Sequence, residues 1–168
     1  MKCYFYILVL ILFLFTACNE EEQETETPLS SNVTEQTGCK NFTGNIRDSS
    51  EITSSMSCIE YSYDDSEMCL SLSHINAGFN CCPGELYCEV SMNSDTILVQ
   101  EFETEAACDC HCLFDMEMEV NRVKSGNYYL KIEEPYAHGQ ASLEFEINLS
   151  TSPTGSYCVE RTDPPWGH

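Results

Sequence analysis

Basic residues are scarce in this chain. Lys and Arg together number 7 against 28 acidic residues, a formal charge of −21 at neutral pH. Binding to nucleic acid needs cationic side chains to neutralise phosphates, so no nucleic-acid partner is expected. The same imbalance argues against adsorption to anionic lipid or lipopolysaccharide, while cationic partners and divalent cations stay open. Long apolar runs are lacking too. The longest, Tyr4 to Phe15, falls short of the roughly 20 residues that a spanning helix requires. No internal repeat and no convincing amphipathic helix is visible, and no two cysteines show the CxxC spacing of common zinc sites or thioredoxin-like redox sites. Cysteine itself is abundant, at 12 in 168 residues.

The N-terminus reads "MKCYFYILVLILFLFTAC". One lysine, a short apolar run and then small residues have the dimensions of a secretory leader, with a retained N-terminal anchor as the alternative. Phe15, Thr16 and Ala17 before Cys18 resemble a bacterial lipobox, with phenylalanine where leucine is more usual. The resemblance implies that residues 1–17 are removed and that the Cys18 thiol carries lipid, a stable membrane anchor once two or more acyl chains are attached. Glu20, Glu21 and Glu22 follow directly, resembling the surface-export signal of Bacteroidota-type lipoproteins. The implied location is the bacterial outer membrane, surface-exposed; a solvated tether on a periplasm-facing lipoprotein is the alternative. Residues 18–37, rich in Glu, Thr and Ser, are expected to form a disordered stalk after the lipidated cysteine. Residues 38–168 then form one cysteine-rich domain, large enough for a two-layer core.

Within that domain, period-two alternation dominates. "CLFDMEMEV" places Cys112, Phe114, Met116, Met118 and Val120 on one face. "SLEFEINL" does the same with Leu143, Phe145, Ile147 and Leu149, and "LYCEVSM" with Leu86, Cys88, Val90 and Met92. Such alternation marks half-buried strands. "DTILVQEF", "NYYLKIE", "CLSLSHI", "SCIEYSY" and "SYCVE" are further strand candidates, separated by turn-forming stretches such as "CPGE" and "KSGN". Seven or eight short strands predict an all-β fold, an antiparallel sandwich. "VKSGNYYLKI", with Gly126, Tyr128, Leu130 and Ile132, resembles the loop-to-strand segment of fibronectin type III and immunoglobulin-like modules. The resemblance implies an immunoglobulin-like sandwich and no function. "NCCPG" followed by "CDCHCLFD" is similar to small cysteine-rich bacterial lipoproteins with no assigned activity, and implies no catalytic residues.

With Cys3 in the leader and Cys18 acylated, ten cysteines remain: Cys39, Cys58, Cys69, Cys81, Cys82, Cys88, Cys108, Cys110, Cys112 and Cys158. An even number in an exported chain predicts a disulfide framework, although connectivities number on the order of a thousand. If the strand from Cys112 extends back through Ala107, then Cys108, Cys110 and Cys112 share one face. Neighbours there lie roughly 6.6 Å apart with parallel Cβ vectors, too awkward to join one another. Each should pair elsewhere, with Cys81, Cys82 and Cys88 nearest in sequence. The alternative is a Zn or Cu site, or thiol-redox chemistry, on Cys108, Cys110 and Cys112 with His111. His111 has the wrong strand parity for that.

Other candidates for chemistry are sparse. His74, His138 and His168 are read as ordinary surface or loop histidines. Asp64, Asp65 and Glu67 lack calcium-loop spacing. Thr96, in "DTI", resembles the acceptor of a short O-glycosylation motif of Bacteroidota-type exported proteins. Trp166 is read as part of a frayed tail. The expected function is a membrane-anchored, non-catalytic binding or structural module with no cofactor, acting on a protein or glycan ligand.

Overall fold

The computed structural model describes residues 28–40 and 52–165. The expected leader, Cys18, the first part of the expected stalk, Trp166 and His168 lie outside these residues. Nine strands are described, in chain order: β1 (Ser30–Gln36), β2 (Met56–Asp64), β3 (Cys69–Asn80), β4 (Leu86–Asn93), β5 (Thr96–Glu103), β6 (His111–Asn121), β7 (Asn127–Glu133), β8 (Leu143–Asn148) and β9 (Thr154–Glu160). They form two sheets. One has the order β1-β6-β3-β2-β9 and the other β4-β5-β7-β8. The inward faces of both contribute to one core that contains Leu70, Leu72, Phe79, Ile97, Val99, Phe114, Met116, Leu130 and Leu143. The expected all-β, disulfide-stapled sandwich is what forms.

Alternation explains most of the strands. Cys112, Phe114, Met116, Met118 and Val120 are all buried on β6, and Leu143 and Ile147 on β8. Phe145 is only half-buried, and Met92, at the tip of β4, is exposed. Tyr128 ties the entry to β7 by donating from its hydroxyl to the Lys124 carbonyl (2.9 Å), the corner tie of many Greek-key sandwiches.

Two expectations need correction. The first concerns pairing direction, since β5 and β7 run parallel. The chain leaves β5, crosses to the other sheet as β6 and returns as β7. Two reversals bring β7 back in the direction of β5, so neighbours in the sheet cannot be antiparallel there. The second concerns the stalk. Residues 30–36, expected to be disordered, form β1, which pairs antiparallel with β6 from Ser30↔Asn121 to Gln36↔Met116. "SSNVTEQ" carries no apolar alternation. Backbone hydrogen bonds to an existing strand hold it, helped by partial burial of Leu29 and Val33 against the core. Across the gap between sheets, Ser31 Oγ donates to the Cys88 carbonyl of β4 (3.0 Å).

Candidate functional site

The cysteine cluster is a knot of staples. Cys39 pairs with Cys112, Cys81 with Cys110, Cys82 with Cys108, and Cys58 with Cys158. Strand β6 begins only at His111, so Cys108 and Cys110 sit in the loop before it and not on an extended strand face. That loop is pinned by Asn80. Its Oδ1 accepts from the amides of Cys82 (2.9 Å) and Cys108 (3.1 Å), and its Nδ2 donates to the Cys108 carbonyl (2.6 Å). With Cys108, Cys110 and Cys112 each bonded to a distant cysteine, their sulfurs offer no thiolate to a metal or to redox exchange. His111 instead meets Tyr136 edge-on, with ring centroids 4.4 Å apart.

Cys69 and Cys88, both expected in disulfides, are free thiols. Cys88 points inward on β4 and packs as a small apolar side chain. Burial pushes both thiols up, reinforced at Cys69 by the charge of Glu119, which keeps them protonated and unreactive. Thr96 is half-buried at the first position of β5.

A polar cluster that sequence reasoning missed lies between the sheets. Ser57 of β2, His74 of β3, Glu101 of β5, Glu134 just after β7 and Arg161 just after β9 converge there. His74, read above as an ordinary surface or loop histidine, is completely buried. Its Nδ1 lies 2.7 Å from Glu101 Oε1 and its Nε2 lies 2.9 Å from Ser57 Oγ. Glu134 Oε1 stands 3.8 Å from Nε2, and Glu134 Oε2 accepts from Arg161 Nη2. Each residue continues the inward parity of its strand: Ser57 with Ile59, His74 with Leu70 and Leu72, Glu101 with Ile97 and Val99, Glu134 with Leu130 and Ile132, Arg161 with Val159. That was the available signal, a polar residue where the alternation calls for an apolar one.

Electrostatics explain the grouping. Two carboxyl groups, a guanidinium and an imidazole share one buried space, so each one's charge acts on the others. Burial works to lower the basicity of His74, but the charge of Glu101, its hydrogen bond and the charge of Glu134 outweigh that and raise it. Burial likewise raises Glu134; His74 and Arg161 pull it back in part, while Glu101 pushes it further up.

The order Ser57–His74–Glu101 has the hydrogen-bonding pattern of a hydrolytic triad. However, the side chains of His74 and Glu101 are both 0% exposed, so no substrate reaches the serine. His74, Glu101 and Glu134 also bring metal-ligand atom types within 4.8 Å of one another. Both ring nitrogens of His74 are already engaged, and Arg161 occupies the cationic position beside Glu134. The cluster is therefore a structural ion network. Each charged member is paired with another of opposite sign, which offsets much of the cost of burial. Glu101 Oε2 and Glu134 Oε1 are buried without a hydrogen bond.

The accessible surface offers a different kind of site. An open groove of about 790 Å³ is lined by Tyr61 of β2, Asp95 at the β4–β5 turn, Thr96 of β5, Tyr129 of β7, and Glu146 and Asn148 of β8. Tyr61 leans towards Phe145 (6.2 Å), which stacks on Tyr157 (4.6 Å, 19° between planes). Gly155 makes room for this. A Cβ there would lie 2.6 Å from Tyr61 Oη. Tyrosine faces beside carboxylates and a carboxamide suit hydroxyl-rich or cationic ligands.

No protein-family model, no curated protein and no solved structure matches this chain.

Proposed function

We propose that this protein is an extracytoplasmic, membrane-tethered module that acts by contact and not by catalysis. The observation that carries this reading is the set of four disulfides, which join segments from 26 to 100 residues apart. Bonds of that number persist only where the surroundings are oxidising. The tether is the lipid on Cys18, inferred from the lipobox-like sequence, and the outer membrane surface is the location its acidic sequel suggests. The triad-like serine is sealed in the core, which supports a non-catalytic role. The tyrosine-lined groove is the surface through which a glycan or protein ligand is contacted.

Labelled palmitate should enter the wild-type protein and not the Cys18→Ser variant. The full-length protein in detergent should bind saturably on a glycan or protein array, and Tyr129→Ala should reduce that binding. Label incorporation unchanged by Cys18→Ser would overturn the tether. Hydrolytic turnover abolished by Ser57→Ala would overturn the contact role.

A further inference from the structure

Away from the groove and the buried cluster, three side chains on β3, β6 and the segment after β1 meet in a chemically suggestive way. Lys40 Nζ lies 2.8 Å from Asn76 Oδ1 and 2.5 Å from Asp115 Oδ1. All three are held from their backbones outward. Lys40 continues the β1–β6 ladder, its amide donating to the Leu113 carbonyl (2.9 Å), and its neighbour Cys39 is bonded covalently to Cys112 of β6. Asn76 is the bulged residue between Ile75 and Ala77 of β3, with φ +64°, and is fully buried. Its amide nitrogen donates to the carbonyls of Thr53 (3.0 Å) and Met56 (2.7 Å), which fixes the plane of the carboxamide. Asp115 sits between them on β6 and also accepts from the Asn76 backbone amide (3.0 Å).

We propose that Lys40 and Asn76 become joined by a spontaneous intramolecular amide bond, with Asp115 as the proton carrier. A primary amine held against the oxygen of a carboxamide, with a carboxylate on the same amine, gives an otherwise slow acyl transfer a high effective concentration. Asp115 takes one proton from the Lys40 ammonium and leaves a neutral amine. The amine lone pair forms the Nζ–Cγ bond while the carbonyl electrons move to Oδ1. Asp115 then gives its proton to Nδ2, the carbonyl re-forms as the Cγ–Nδ2 bond breaks and ammonia is released, and the surplus proton on Nζ passes through Asp115 to that ammonia. Ammonium leaves, the lysine charge leaves with it, and Asp115 ends ionised. The exchange is redox-neutral and uses no co-reactant. The Thr53 and Met56 carbonyls, which already accept from Nδ2, receive the departing cation. The product would be a fifth covalent tie, fastening the segment after β1 to β3 as the Cys39–Cys112 disulfide fastens it to β6.

The test is tandem mass spectrometry of the full-length protein, digested after reduction and alkylation. We expect a branched peptide containing Lys40 and Asn76, lighter than the sum of its arms by one ammonia, about 17 Da. Lys40→Arg and Asp115→Ala should each return the unlinked peptides at full mass, with circular dichroism reporting that the sheets remain. Separate, full-mass Lys40 and Asn76 peptides from the folded wild-type protein would overturn the proposal and leave an ordinary ion pair. A branched peptide that persists in Asp115→Ala would overturn the role of Asp115.

Discussion

The two sheets are held by different means. Every disulfide joins strands of the β1-β6-β3-β2-β9 sheet or the loops that directly continue them. The β4-β5-β7-β8 sheet has none. Its one cysteine, Cys88, is a buried thiol, and the sheet relies on Ile97, Val99, Leu130, Ile132, Leu143 and Ile147 packed against its partner. The open groove is built mostly from this uncross-linked sheet. One layer is thus closed covalently, and the layer that carries most of the groove is held by non-covalent contacts alone.

Complete reduction should break this contrast with the largest effect. Removing a native disulfide costs about 2–5 kcal/mol, so losing all four should unfold the domain at physiological temperature, measured by calorimetry with and without reductant. A protein whose melting is unchanged by reductant would show that the staples are not needed. Next in size is Arg161→Met, which leaves Glu134 buried without its cationic partner. The expected cost is about 3–5 kcal/mol, read from chemical denaturation. Because Arg161 follows β9 while Glu134 follows β7, this variant tests whether the ion network, and not only apolar packing, couples the sheets.

A smaller effect should appear with pH. His74 is raised above the 6.5 of a free histidine, so its contribution is fully present below that value and is lost as pH climbs through its folded-state value. Glu134, raised above 4.5, has the same sign. Melting temperature should therefore decline from mildly acidic to alkaline pH, and His74→Gln should flatten the decline. The smallest effect on stability belongs to Tyr129→Ala on the groove. Stability should move by about 0.5 kcal/mol or less, while any saturable ligand binding weakens. A large loss of stability there would mean that the groove wall is structural.

Much of the fold could be read from alternation, because strands such as β6 and β8 bury one face and wet the other. The strand β1 could not, since only Val33 marks a buried side and the rest is backbone pairing with a strand far along the chain. Cysteine pairing was legible only in part. Cys108, Cys110 and Cys112 do find partners elsewhere. The strand parity used to expect this does not hold for Cys108 and Cys110, which lie in a loop, and the partners depend on how loop and ladder are brought together. Cys58 meets Cys158 because β2 and β9 place them directly opposite one another. The ion network was written in the sequence as polar residues at inward positions. A lone histidine among serines in "CLSLSHI" gives no sign of a carboxylate arriving from β5 until the sheets are stacked. The groove, assembled from four strands and a turn, left no local trace at all.

The disulfide between Cys39 and Cys112 also has a mechanical meaning. A pull on the chain from its N-terminal side enters the domain at β1, an edge strand whose antiparallel bonds to β6 would open one after another from Ser30 onward. That unzipping can travel only to Cys39. There the load passes through a sulfur bridge into β6, which lies inside its sheet between β1 and β3. Under tension the domain would lengthen by one strand and then stop, like a seat belt reaching its catch, with the groove-bearing sheet still folded behind it.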